Sequence, residues 1–207
     1  VAANTTVKKR LTQEERSAST RNRLLDATIE CLIEHGYKGT TTTEIAARAG
    51  LSRGAQLHHF PTKVELVTKA IEHLANRRIE SLRQQVTRLP VKAVQVSRAV
   101  DLLWSSFSGP LYYAAVELWM AARTDAELRT ALYPVERHLG HTIDLMCQEL
   151  FGEVAKSARF KDALHLTIYM MRGMALERIL KDDDTRRREL LDYWKQLLTY
   201  ALEQDKG

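Results

Sequence analysis

Apolar positions along the chain recur at helical spacing, and they are punctuated by cap and stop residues. Leu24, Thr28, Cys31 and Leu32 fall at i, i+4, i+7 and i+8, the stripe of a helix buried along one face. This first helix starts at about Gln13 or Ser19 and runs to His35, with Gly36 as its left-handed stop. Thr41-x-x-Glu44 has the form of a capping box and opens a second helix at about 42–49. Ser52 caps a third at about 53–59, and Thr62-x-x-Glu65 opens a long fourth that reaches about Arg88. Leu89-Pro90 ends it. The pattern then predicts a fifth helix at about 91–107 and a sixth at about 111–123. A seventh opens at Thr124-x-x-Glu127 and carries Pro134, where a kink is expected. Two long helices close the chain at about 159–180 and 184–203, joined by Lys181-Asp182-Asp183-Asp184. No strand-like alternation and no internal repeat interrupts this, so the fold class is all-α with about nine helices.

Composition narrows the classes of function. The 207 residues, with 44% hydrophobic and 28% charged side chains, are those of a globular protein, and 9 Gly and 4 Pro leave few turns. Cys31 and Cys147 form neither a disulfide framework nor a zinc spacing, and no cofactor or metal is expected. No apolar run reaches the roughly 18 residues of a membrane span. With no apolar stretch after the basic start, a reduced, cytoplasmic protein without a membrane partner is the expectation. Residues 1–88 hold 15 Lys and Arg against 9 Asp and Glu, whereas residues 89–207 hold 16 against 17. The basic excess is densest at the start, where Lys8, Lys9, Arg10, Arg16, Arg21 and Arg23 face only Glu14 and Glu15. Such an arm suits phosphate binding, because neutralised phosphates release counterions; a solvated tail is the plainer reading.

The segment 42–60 carries the most specific signal. Ala46 is small where two short helices must approach, Gly50 can take positive φ between them, and Ile45, Ala49 and Leu51 fill the wedge. Ser52 then caps a helix whose first residues face outward, the arrangement that places a helix N-terminus in a DNA major groove. Arg23-Leu24-Leu25-Asp26-Ala27, Gly36-Tyr37, Thr41-Thr42, Ile45-Ala46, Ala49-Gly50-Leu51-Ser52-Arg53-Gly54, His59-Phe60 and Lys63 together resemble the N-terminal domain of the tetracycline-repressor (TetR) family. The resemblance covers about Thr20 to Leu74. It implies an N-terminal three-helix helix-turn-helix DNA-binding domain, a long fourth helix, and a C-terminal helical ligand-binding and dimerisation domain. By position that gives a basic arm over 1–12, the DNA-binding domain over 13–66, helix four as connector to about 88, and the body over 89–207.

Carried over residue by residue, the resemblance places Thr42 and Thr43 near a phosphate, and Ser52, Arg53 and Gly54 at the groove. Gln56 and Leu57 depart from the usual apolar-tyrosine pair. Gln56 either sits half-buried or reads adenine, and Leu57 either packs or touches a thymine methyl. His58 is a backbone or base contact, His59 a phosphate contact or a packing residue, and Lys63 a phosphate cation at the start of helix four. In the body, Trp104, Phe107, Tyr112, Tyr113, Trp119, Arg123, His141, His165, Tyr169 and Arg172 are candidates to line a cavity for a small-molecule effector. Arg123, His141 and Arg172 would suit an anionic or phenolic one. Leu164, Ile168, Met171 and Ala175, with Leu190, Trp194, Leu197 and Ala201, form stripes on the last two helices that would pair across a two-fold axis in a homodimer. The expected function is a ligand-responsive repressor of a pseudo-palindromic double-stranded operator, not an enzyme. Two other readings compete: a helical small-molecule carrier or enzyme with an incidental helix-turn-helix, and a sequence-neutral architectural DNA binder.

Overall fold

The computed structural model describes residues 12–87, 96–107, 109–181 and 183–204. Residues 1–11 of the basic arm expected over 1–12, and the boundary expected at Leu89-Pro90, lie outside them. Within them the chain is all-α: α1 (Gln13–Gly39), α2 (Thr42–Arg48), α3 (Arg53–His59), α4 (Lys63–Thr87), α5 (Val96–Ser105), α6 (Pro110–Ala122), α7 (Ala126–Phe151), α8 (Phe160–Glu177) and α9 (Asp184–Glu203). A short 3₁₀ turn, Gly152–Lys156, separates α7 from α8.

Local chemistry sets most of these boundaries. Thr12 and Glu15 form a reciprocal capping box, with Thr12 Oγ1 accepting from the Glu15 amide at 3.1 Å and Glu15 Oε2 from the Thr12 amide at 2.7 Å, so α1 starts at Gln13. Gly36, at φ 64°, breaks the helical geometry of α1, and a last turn follows before Thr40. A Cβ there would meet only the movable carboxylate end of Glu117 on α6, so it is the positive φ that calls for glycine. The N-cap of α7 is Asp125, one residue later than Thr124: its Oδ1 accepts from the Leu128 amide at 2.9 Å, while the Thr124 hydroxyl turns back to the Ala121 carbonyl. α7 then continues through Pro134, which is exposed.

Four apolar clusters hold the helices. Leu24, Cys31, Ile45, Ala49, Phe60 and Leu66 close α1–α4 into an N-terminal unit. Leu32, Val67, Ile71, Leu118 and Leu128 tie that unit to α6 and α7. Ala75, Ile79 and Leu82 of α4 pack with Leu139 and Met146 of α7. The largest cluster joins α5, α7, α8 and α9. On α8 the expected stripe, Leu164, Ile168, Met171 and Ala175, is buried inside the chain. On α9 the buried face is Arg187, Leu191, Leu198 and Leu202, with Leu190 and Leu197 exposed. Trp194 is half-buried and donates to Thr167 Oγ1 at 3.0 Å, so it packs within the chain and is not on an open face. Arg187 is buried with its guanidinium over the Trp104 ring.

Candidate nucleic-acid interface and effector cavity

The turn between α2 and α3 is built as the residue types require. Gly50 has φ 63°, and its amide and that of Leu51 bond back to the carbonyls of Ala47 and Ala46, each at 2.9 Å. Arg23 of α1 donates to the carbonyls of Ala49 and Gly50, so this arginine of the basic segment serves the turn itself. Ser52 Oγ accepts from the Ala55 amide at 3.2 Å and starts α3. From this cap outward, Thr43, Ser52, Arg53, Gly54, Leu57 and His58 are exposed, and Thr42 and His59 are half-buried. Arg53 makes no hydrogen bond or ion pair with any described residue. A Cβ on Gly54 would meet nothing nearer than Ser52 Oγ at 3.9 Å, so nothing inside the protein demands glycine there. Burial first, and then the charge of His58 and Arg21, pushes the His59 imidazole below its ordinary value.

Two expected contacts are corrected. Gln56 is fully buried, and its Nε2 donates to the Phe60 carbonyl at 2.6 Å. It lies on the inner face of a seven-residue helix and cannot reach a base. Lys63 is half-buried; its Nζ donates to the Tyr37 carbonyl at 2.6 Å and lies 4.2 Å from the Tyr37 ring centroid. Burial lowers its pKa, and its ammonium ties the start of α4 to the end of α1 rather than standing free for a phosphate. Conversely, the sequence places Arg21 only in a basic segment. It lies on an exposed turn of α1 with its guanidinium 5.1 Å from the Phe60 ring centroid, beside the end of α3.

In the body, α4–α8 enclose a cavity of about 330 Å³. Six of the ten expected residues line it: Phe107, Tyr112, Trp119, His165, Tyr169 and Arg172. The Tyr112 hydroxyl donates to the Arg172 carbonyl at 2.5 Å, and burial raises its pKa although Arg172 opposes this. The Arg172 guanidinium sits 4.8 Å from the Trp119 ring centroid. The other four do not line it. Trp104 packs into the core beneath Arg187. Tyr113, one residue off the inward face of α6, faces a groove with Leu32 and Ile33 of α1. Arg123 is exposed at the end of α6, and His141 is exposed because the inward face of α7 runs through Glu136, Gly140 and Asp144. Arg78, Ser106, Glu136 and Asp144 also line the cavity and were not expected. Arg78 was legible in principle, since it interrupts the apolar face Ile71, Ala75, Ile79, Leu82 of α4. Among the described residues no cluster could hold a metal ion, and no helix is long and apolar enough to cross a membrane.

Residues 24–70, which span α1 to α4, match the family model of bacterial regulatory proteins, tetR family. Over 179 residues the chain is 31% identical to the HTH-type transcriptional regulator CymR of Pseudomonas putida, covering 86% of this chain and 88% of that one. The chain belongs to the TetR family. A putative transcriptional regulator of Pseudomonas aeruginosa PAO1 shares the fold of this TetR-family chain with a TM-score of 0.68 at 24% identity, covering 95% of this chain and 97% of that one. FadR of Bacillus subtilis, solved in complex with stearoyl-CoA, aligns with a TM-score of 0.64 at 17% identity over 86% and 97% of the two chains. The protein is therefore a TetR-family transcriptional regulator, all-α, with its helix-turn-helix in α2 and α3.

Proposed function

We propose that this regulator is a homodimeric repressor of a pseudo-palindromic operator, released when a small molecule enters the body cavity. The observation that carries the reading is the outward side of α3. A glycine with open space around it and an arginine without a partner among the described residues stand together at the capped start of a short helix. Gly54 lets a nucleic-acid backbone or base edge come close, and Arg53 offers the fork that recognises guanine. Thr42, Thr43, Ser52, Leu57, His58, His59 and Arg21 form the surrounding contact surface. α4 supports the regulatory half of the proposal: it begins at Lys63, beside this unit, and supplies Ile71, Ala75, Arg78, Ile79 and Leu82 to the cavity wall. A ligand that prefers one placement of α4 shifts the population of reading-head positions. FadR holds stearoyl-CoA on the same fold, which supports ligand binding in the body here. The reading is that of a cytoplasmic regulator rather than an enzyme, in keeping with relatives named as transcriptional regulators.

Selection of bound fragments from random DNA tests the reading. A two-fold symmetric sequence bound about a thousandfold or more tighter than scrambled DNA at physiological salt is expected. Arg53→Ala should lose about 1–3 kcal/mol on that sequence and relax its preference at one position per half-site. Equal affinity for all duplexes, or full specificity in Arg53→Ala, would remove α3 from the groove.

A further inference from the structure

We propose that the cavity accepts a small mono-anion, a carboxylate on a ring-sized apolar body, and that Arg78 and Ser106 receive its charged end. The proposal rests on reading the cavity as the effector site and names the chemistry it selects.

Unspent donors carry the inference. Arg78 projects from the apolar face of α4, and its Nη2 donates to the Ser105 carbonyl at 2.7 Å and the Ser105 hydroxyl at 3.1 Å. Both partners are neutral, and no carboxylate lies within ion-pair distance of Arg78 among the described residues. Ser106, next to Ser105, lines the same cavity, and its buried hydroxyl has no hydrogen-bond partner among the described residues. A half-buried guanidinium without a counter-charge, next to a residue with an unsatisfied hydroxyl, is a costly arrangement that a bound acceptor relieves. Carboxylates fit such a fork with two oxygens.

The rest of the lining argues against the other charge classes. Of the rings in the lining, Trp119, the strongest attractor of a cation, is already covered by Arg172. Of the two acidic residues, Asp144 faces His165 Nε2 at 3.4 Å, and Glu136 also borders an outer groove with Arg123 and Arg129. Phe107 and Tyr112, with ring centroids 6.0 Å apart, flank the site beside Ser106. A volume of about 330 Å³ lies at the small end of ligand pockets and suits one ring rather than a long chain.

Calorimetry and thermal-shift measurements on the full chain compare benzoate, phenylacetate and cyclohexanecarboxylate with their primary amides and with benzylamine. The carboxylates should bind about tenfold or more tighter than the amides, and Arg78→Met should remove that preference with a loss of about 10- to 100-fold. Arg78→Lys should keep part of it. Ser106→Ala, which deletes only a hydroxyl, should lose several-fold and gives the readout if Arg78→Met does not fold. Amides or benzylamine binding as tightly as carboxylates would overturn the anion proposal and leave the cavity as an effector site. So would carboxylate affinity unchanged in Ser106→Ala and in whichever Arg78 variant folds. If no compound of any class binds, the effector-site reading falls as well.

Discussion

In α3, Gln56 and Leu57 are neighbours in sequence and opposite in placement. Sequence leaves the amide either half-buried or reading adenine and the leucine either packed or at a thymine methyl; the structure puts Gln56 inside and leaves Leu57 45% exposed. Sequence alone does not choose because α3 has only seven residues, too few for a periodicity to fix which face is inner. Gln56 holds the Phe60 carbonyl while its own Oε1 has no partner among the described residues. Gln56→Ala should therefore cost about 1–3 kcal/mol of stability in thermal melts and leave the ranking of DNA sequences unchanged. A changed ranking would return Gln56 to the groove. His59 gives a second prediction at this scale. Its folded pKa lies below the ordinary value, so the unfolded chain takes up its proton first, and its contribution to stability, present above that ordinary value, is lost as acid brings the pH through the folded pKa. A phosphate beside the imidazolium would act in the opposite direction. Lowering the pH from 7.5 to 6 should thus lower the melting temperature of the free protein yet strengthen its DNA affinity, and His59→Gln should remove much of the second effect. If affinity falls in parallel with stability, His59 is a packing residue.

Helix starts were readable wherever one side chain had a single amide to serve. Thr41, Ser52 and Thr62 each accept from the amide three residues on, as their spacing implied. The start of α7 was misread by one residue because Thr124 and Asp125 both qualify as caps; the structure gives the amide to the charged acceptor and leaves the hydroxyl to the end of α6. Asp125 has a further role. Its second oxygen lies 3.4 Å from the hydroxyl of Tyr37, whose carbonyl holds Lys63, so the caps of α7 and the junction of α1 with α4 meet at one tyrosine. Asp125→Ala should lower stability by about 1 kcal/mol or more, against a few tenths for Thr124→Ala. Paired chemical denaturation curves check this; equal effects would place the cap at Thr124 after all.

For the whole molecule, the ambiguity lies in α9, where apolar residues come as adjacent pairs: Leu190 with Leu191, and Leu197 with Leu198. One member of each pair serves the chain's own core, and sequence periodicity averages the two faces into a single stripe through Trp194. The structure separates them. Leu191, Leu198 and Leu202 are buried, and Leu190, Tyr193, Leu197 and Tyr200 form an exposed row at i, i+3, i+7 and i+10. Exposed Leu166, Tyr169 and Leu176 make a similar row on α8. Apolar rows of this length on two neighbouring helices exceed what scattered surface residues require, and a second copy meeting them in a four-helix arrangement would bury both. Tyr193→Glu with Leu197→Glu should therefore yield a helical monomer in sedimentation at micromolar concentration, with operator affinity lost because only one reading head remains. Trp194→Glu should instead unfold the body, since it places a charge beside Thr167 within the core. A double variant that still sediments as a dimer would move the interface elsewhere, and a folded, monomeric Trp194→Glu would return the two-fold axis to the inner face of α9.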